Sequence, residues 1–234
     1  MATEVSDVDS KDHDDGPPAL RYEVAVPLIA ANGALDAYTF LAHDGVFATA
    51  QTGNVVLFAI GLIRPAVAAP WPHLWPILAF VAGIAVARSI SRPAATGGHY
   101  RSRRWVLVVQ VLILVAVGSF SSALPLWLIV SAISFASALQ LALFRKIAAI
   151  TWVTIAMTGN LMRTTESVHA ALTGDRDSRG PAVAQLAMIV VFAAGVVLGA
   201  VTTTHLGGRA AFVPAALLAA DLVWIVSRRG LRPR

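Results

Sequence analysis

The chain has 234 residues, 57% of them hydrophobic and only 13% charged, with a net charge of +5 and a mean hydropathy of +0.70. An ordinary soluble domain carries about 25% charged residues, so this composition excludes one and defines a polytopic α-helical membrane protein. The basic residues lie in short runs between apolar segments, which fits membrane topology rather than nucleic-acid binding, and the lack of cysteine removes disulfides, thiolate chemistry and cysteine-based metal sites.

Residues 1–23 contain Glu4, Asp7, Asp9, Asp12, Asp14 and Asp15 and include Gly16-Pro17-Pro18, the composition of a disordered acidic tail. No basic start and short apolar core mark a cleaved signal peptide, so the first apolar run is expected to stay as a signal anchor. Apolar runs follow at 24–42, 46–63, 74–90, 105–124, 126–144, 147–172, 183–204 and 210–226, and a basic tail closes the chain at 227–234. Six of these runs suit a hydrocarbon core of about 30 Å at about 20 residues per span. The second and sixth are interrupted near their middle by polar clusters: Thr49, Gln51, Thr52, Gly53 and Asn54, then Thr154, Thr158, Gly159 and Asn160. These two are expected to be broken or re-entrant.

Charge distribution supports that choice. If all eight runs cross, the 18 basic residues divide ten to eight and give no orientation. If the two Thr-Gly-Asn segments return to the face they left, only Arg64 and Arg209 of the 18 lie outside, a strong positive-inside pattern with both termini cytoplasmic. The expected fold is therefore an all-α membrane bundle of six spans plus two re-entrant segments, built from inverted repeats at 24–124 and 126–226 within one membrane domain, 24–226; the alternative is eight spans. Phe80-Val81-Ala82-Gly83 against Phe192-Ala193-Ala194-Gly195 supports the repeat. Inverted repeats with paired broken segments are a transporter and channel architecture.

Gly33-Ala34-Leu35-Asp36-Ala37, Gly45-Val46-Phe47, Gln51-Thr52-Gly53-Asn54, Leu139-Gln140 and Met157-Thr158-Gly159-Asn160 resemble the YoaK-like family of uncharacterised bacterial integral membrane proteins, domain-of-unknown-function family 1275. The resemblance covers nearly all of the chain from Val24 onward. It implies several membrane helices in a bacterial inner (plasma) membrane and an unassigned function. Where the family pattern has Gly-Leu-Gln-Asn, this chain has Ala138-Leu139-Gln140-Leu141.

Asp36 is the leading candidate for chemistry, because a carboxylate in a span costs about 2.5 to 3.5 kcal/mol on insertion scales unless it meets a cavity or partner. Asn32, Asp36, Thr39 and His43 share one helical face. The alternative is a structural seam in which Asp36 ties the first span to Gln110 or Thr52. Thr52, Gly53, Asn54, Thr158, Gly159 and Asn160 offer polar groups and backbone where a helix breaks, as a solute site or as packing notches. Gln51, Gln140 and Gln185 read equally as ligand contacts or interhelical ties. Asp221 is expected near the interface beside Arg228 and Arg229, and Arg163 is expected to pair with Glu166. Trp71, Trp75, Trp105 and Trp127 read as interfacial anchors.

No Walker loop, dinucleotide fingerprint, zincin motif or nucleophile elbow occurs, so no enzyme activity, cofactor or metal is expected. The sequence thus favours a small-solute transporter or channel-like permease with a midplane site. Its partners would be the lipid bilayer and a small polar solute or ion, with homo-oligomerisation compatible. A non-transporting structural or regulatory membrane protein is the alternative.

Overall fold

The apolar runs form helices because the backbone polar groups of a segment in hydrocarbon must be satisfied within that segment. The computed structural model describes residues 22–90, 98–144, 146–147, 150–151 and 157–227. Residues 1–21 of the acidic tail, the basic tail from 228 and Thr154 lie outside the described residues. Eight helices run in order: α1 Tyr22–Ala42, α2 Gln51–Ile63, α3 Pro70–Ile90, α4 Gly98–Phe120, α5 Leu126–Leu143, α6 Met157–Leu172, α7 Arg179–Leu206 and α8 Phe212–Ser227. A 3-10 turn, Gly207–Ala211, joins α7 to α8, and a two-residue antiparallel ladder pairs Lys146–Ile147 with Ile150–Thr151 ahead of α6. Pro70 opens α3 and Pro125 immediately precedes α5, positions where proline's missing N–H costs no helical bond.

Glycine sets the closest helix contacts. α1 packs along α7 and runs parallel to it, with Ala30 against Gly195 and Ala34 against Gly199. A Cβ on Gly199 would stand 2.6 Å from the Ala34 Cα, so the two backbones touch only because that side chain is missing. α3 packs along α5 in the same parallel sense, with the Trp75 and Trp127 rings 6.3 Å apart and Gly83 against Phe135 and Ala138. α4 and α8 are antiparallel: Gly118 meets the Phe212 ring and Ser121 meets Gly208. α8 also packs on α1, α4 on α5, α2 on α3 and α6 on α7.

These contacts order the helix ends. The Tyr38 hydroxyl donates to the Gly208 carbonyl at 3.1 Å, and Gly208 also touches Ser121. The C-terminal ends of α1, α4 and α7 therefore gather with the N-terminal ends of α3, α5 and α8. Segment 43–69 thus leaves this end of the bundle after α1 and returns to it before α3. The end of α5 and the start of α7 lie together at the opposite end.

The buried core is one cluster in which Leu28, Ile29 and Leu35 of α1 meet Leu107 and Leu114 of α4, Ile129 and Ile133 of α5, and Ala215 and Leu218 of α8. Large apolar side chains point outward along the same helices, among them Leu78, Val81, Leu112, Val190, Val197 and Val223. Trp71, Trp75, Trp105 and Trp127 are all exposed close to helix ends, the placement of interfacial anchors.

Candidate functional site

The site begins where α1 ends. Asp44 and Gly45 both have positive φ, 53° and 71°, and the chain reverses there; Asp-Gly is a pair that tolerates this backbone. The reversed strand then descends beside α1, the Thr39 hydroxyl accepting the Ala48 amide at 3.0 Å while itself donating to the Leu35 carbonyl. One turn deeper the Asp36 carboxylate accepts the Thr49 amide at 2.9 Å and the Thr49 hydroxyl at 2.6 Å. α2 starts two residues later. Its N-cap position is Ala50, which provides no side-chain cap, and its first turn holds no acid. Asp36 supplies from another helix the negative charge and acceptor atoms that a helix N-terminus favours.

Asn54 completes the reversal. Its side-chain oxygen accepts the Phe47 amide at 3.0 Å and its nitrogen donates to the Phe47 carbonyl at 2.7 Å, so one amide satisfies both backbone groups of a residue outside any helix. Gln51 donates to the Ser134 hydroxyl at 2.7 Å, and Ser134 donates to the Ala48 carbonyl at 2.7 Å, tying the segment to the middle of α5. Gln140 of α5 donates to the Asn32 side-chain oxygen at 3.2 Å. His43 bonds the Tyr38 hydroxyl at 3.0 Å. Asn32, Asp36, Thr39 and His43 are all buried, as one polar stripe facing the return segment and α5.

Three expectations are corrected. Thr-Gly-Asn does not break a helix: in both halves it occupies the second to fourth residues of one, α2 or α6, and the non-helical backbone of the first half precedes it. The physical reason is that Asn54 bonds backward to Phe47 and leaves the forward helix intact. Thr52 and Thr158 are exposed while Asn54 and Asn160 are buried, so the threonines stand outside the cluster. The partner of Asp36 is Thr49, not Gln110 or Thr52.

The second motif likewise lies in the first turn of its helix. Gly159 is half-buried, and the Arg163 guanidinium donates to its carbonyl at 3.0 Å. Beyond α6, the Ser178 hydroxyl bonds the exposed Asp175 and holds its carboxyl below the usual carboxylate range. Asp221 is 1% exposed, enclosed by the bundle. Thr49, Ser134 and Tyr38 are the contributors that sequence reasoning passed over as site residues. The Asp44-Gly45 turn signal, which brings Thr49 back to Asp36, is the clue that finds the first of them.

Among the described residues, five helical stretches are long and apolar enough to cross a membrane, Tyr22–Ala42, Pro70–Ser89, Ser102–Phe120, Leu126–Leu143 and the bent Arg179–Ser227, and their outward faces are apolar. Together with a polar cluster sealed inside, this defines a helical integral membrane protein. The chain belongs to the family described as Protein of unknown function (DUF1275), whose model matches residues 24–224. No curated protein and no solved structure matches it.

Proposed function

We propose that this protein is a small-solute permease of the bacterial plasma membrane, built from two inverted repeats, with its solute site where the two Thr-Gly-Asn helices begin. The observation that carries the proposal is the non-helical strand Val46–Ala50 inside the helical bundle. Irregular backbone at membrane depth is tolerated only where protein buries it or where it lines a wet cavity, and transporters place such segments at their sites.

The packing supports the repeats. Exchanging α1 to α4 with α5 to α8 in order converts α1 on α7 into α5 on α3, α1 on α8 into α5 on α4, and α2 on α3 into α6 on α7; all of these pairs occur. Ala30 against Gly195 has its counterpart, one residue out of register, in Phe135 against Gly83. In this reading α1, α3, α4, α5, α7 and α8 cross, α2 and α6 re-enter from opposite faces, and both termini are cytoplasmic. Asn54 and Asn160, each in the first turn of its helix, approach each other near the midplane, where helix N-termini favour polar or anionic groups. Asp36 is the group whose bonds to Thr49 a cationic solute or proton must loosen for the return segment to move.

One observation favours the alternative of a non-transporting membrane protein: both Asp36 oxygens are already bonded to Thr49, as a purely structural pin would be. Solute-dependent thermal stabilisation separates the two readings. A ligand that binds only the folded protein raises the melting temperature with its concentration. Screening small polar solutes at fixed pH and fixed alkali-ion concentration against wild type and Asp36→Asn is expected to give a dose-dependent rise that the variant weakens. A flat response across amino acids, sugars, organic acids and amines would reject the permease.

A further inference from the structure

A second set of polar groups lies away from the Asp36 cluster, in the seam between α4 and α8. Asp221 and Gln110 are each 1% exposed, and all four of their side-chain polar atoms lack a hydrogen-bond partner. Two contacts give the helix register: Gly118 meets Phe212, and Ser121 meets Gly208, with the chains antiparallel. Counting back eight residues along α4 reaches Gln110, and counting forward nine along α8 reaches Asp221. At about 1.5 Å per residue, both steps are on the order of 12 to 14 Å, so the two residues share one depth. Each also belongs to the single buried stripe of its helix, Leu107, Gln110, Leu114 and Val117 on α4, and Pro214, Leu218 and Asp221 on α8.

From this juxtaposition we infer that Asp221 and Gln110 form a binding site for one monovalent cation between α4 and α8. The chemistry sets the ligand class. The seam offers three acceptor oxygens, two on Asp221 and one on Gln110, against the single amide nitrogen of Gln110. It therefore offers more acceptors than donor groups and, among the described residues, no positive charge. Oxygen donors suit hard cations, and a carboxylate buried among apolar residues requires a partner charge. A divalent ion held by this one carboxylate would leave a net positive charge in the same apolar seam, so a single charge fits. An alkali-metal ion and a proton both meet that description.

Among the described residues, no charged side chain of the surrounding helices does so. Glu23 on α1, Arg103 and Arg104 on α4, His205 on α7 and Arg209 in the 3-10 turn stand towards the helix ends, and Arg103 donates to the Leu143 carbonyl. Asp36 on α1 is committed to Thr49. Tyr22 and Tyr38 also lie near the ends of α1, the latter bonded to Gly208. The site is independent of the permease reading, because a cation that only locks α4 to α8 would stabilise a non-transporting protein equally.

Thermal unfolding of the purified full chain tests it, with sodium, lithium or potassium chloride replacing choline chloride at constant ionic strength, and separately with stepwise acidification in choline chloride. Wild type and Asp36→Asn are expected to gain stability with a saturating dependence on one alkali ion, or on acidification alone if the charge arrives as a proton. Asp221→Asn, which keeps the shape and removes the charge, is expected to melt no lower than cation-free wild type and to lose that dependence. Gln110→Leu should shift the midpoint of the dependence to higher cation concentration. If Asp221→Asn responds to both alkali ions and pH as wild type does, or if wild type responds to neither, the site does not exist. Failure of Asp221→Asn to fold would also contradict the proposal, since the amide removes the charge for which a cation is required.

Discussion

Replacing Asp36 by alanine should detach the return segment from α1. The substitution strips acceptors from the Thr49 amide and hydroxyl, both buried, and each buried donor left without a partner costs about 1 to 3 kcal/mol. The sum is about 4 kcal/mol, and at about 2 to 4 °C per kcal/mol for a chain of this size the melting temperature should fall by roughly 8 to 16 °C. Asp36→Asn retains an acceptor for the Thr49 amide but exchanges charge-assisted bonds for neutral ones, at a loss of about 1 kcal/mol each. Thr49→Val removes the hydroxyl and keeps the amide bond, for about 2 kcal/mol. Both single variants should therefore melt between wild type and Asp36→Ala. Because the two side chains act through one contact, Asp36→Ala with Thr49→Val should cost less than the two single losses added together. Melting curves in detergent or nanodiscs read all four proteins. Additive losses, or an Asp36→Ala melting temperature within about 1 °C of wild type, would show that this carboxylate does not hold the segment.

Gly199→Ala should cost about 1 to 3 kcal/mol, the usual penalty of overpacking, because the new methyl meets the Ala34 backbone. Gly180→Ala, with nothing within 4 Å of the added Cβ, serves as its control and should leave the melting temperature unchanged or slightly raised. Asn54→Leu should lower stability by about 2 to 4 kcal/mol, since both Phe47 backbone groups lose their partner; a neutral outcome would deny that bracket its role. A cysteine pair at Asn54 and Asn160 should cross-link efficiently in the otherwise cysteine-free chain, and failure with short reagents would separate the two re-entrant helices.

The helices were legible because their apolar lengths match a bilayer: each run overlaps a helix, most ends shift by up to five residues, and the starts of α4 and α6 differ by seven and ten. The start of α2 was less so. Apolar Val46, Phe47 and Ala48 read as helix, yet they form the non-helical return segment, because Thr39, Asn54 and Ser134 satisfy the backbone of Phe47 and Ala48 through side-chain contacts outside a helical repeat. The Asn32, Asp36, Thr39, His43 stripe was readable from periodicity alone. Its partners were not, since pairing Asp36 with Thr49 depends on the chain reversal at Asp44 and Gly45. The enclosure of Asp221 was not legible, because it depends on how α8 packs against α1 and α4.

The claim that segment 43–69 leaves and re-enters at one face is tested most directly by single cysteines at Asp44 and Arg64, labelled in intact cells with a membrane-impermeant maleimide. Both positions flank the return segment and α2, outside the helical part of α1 and α3. Both are expected to label from outside, with no further labelling when the membrane is opened. Protection of either one until the membrane is opened would mean that the segment crosses, and would contradict the re-entrant architecture together with the inverted repeats built on it.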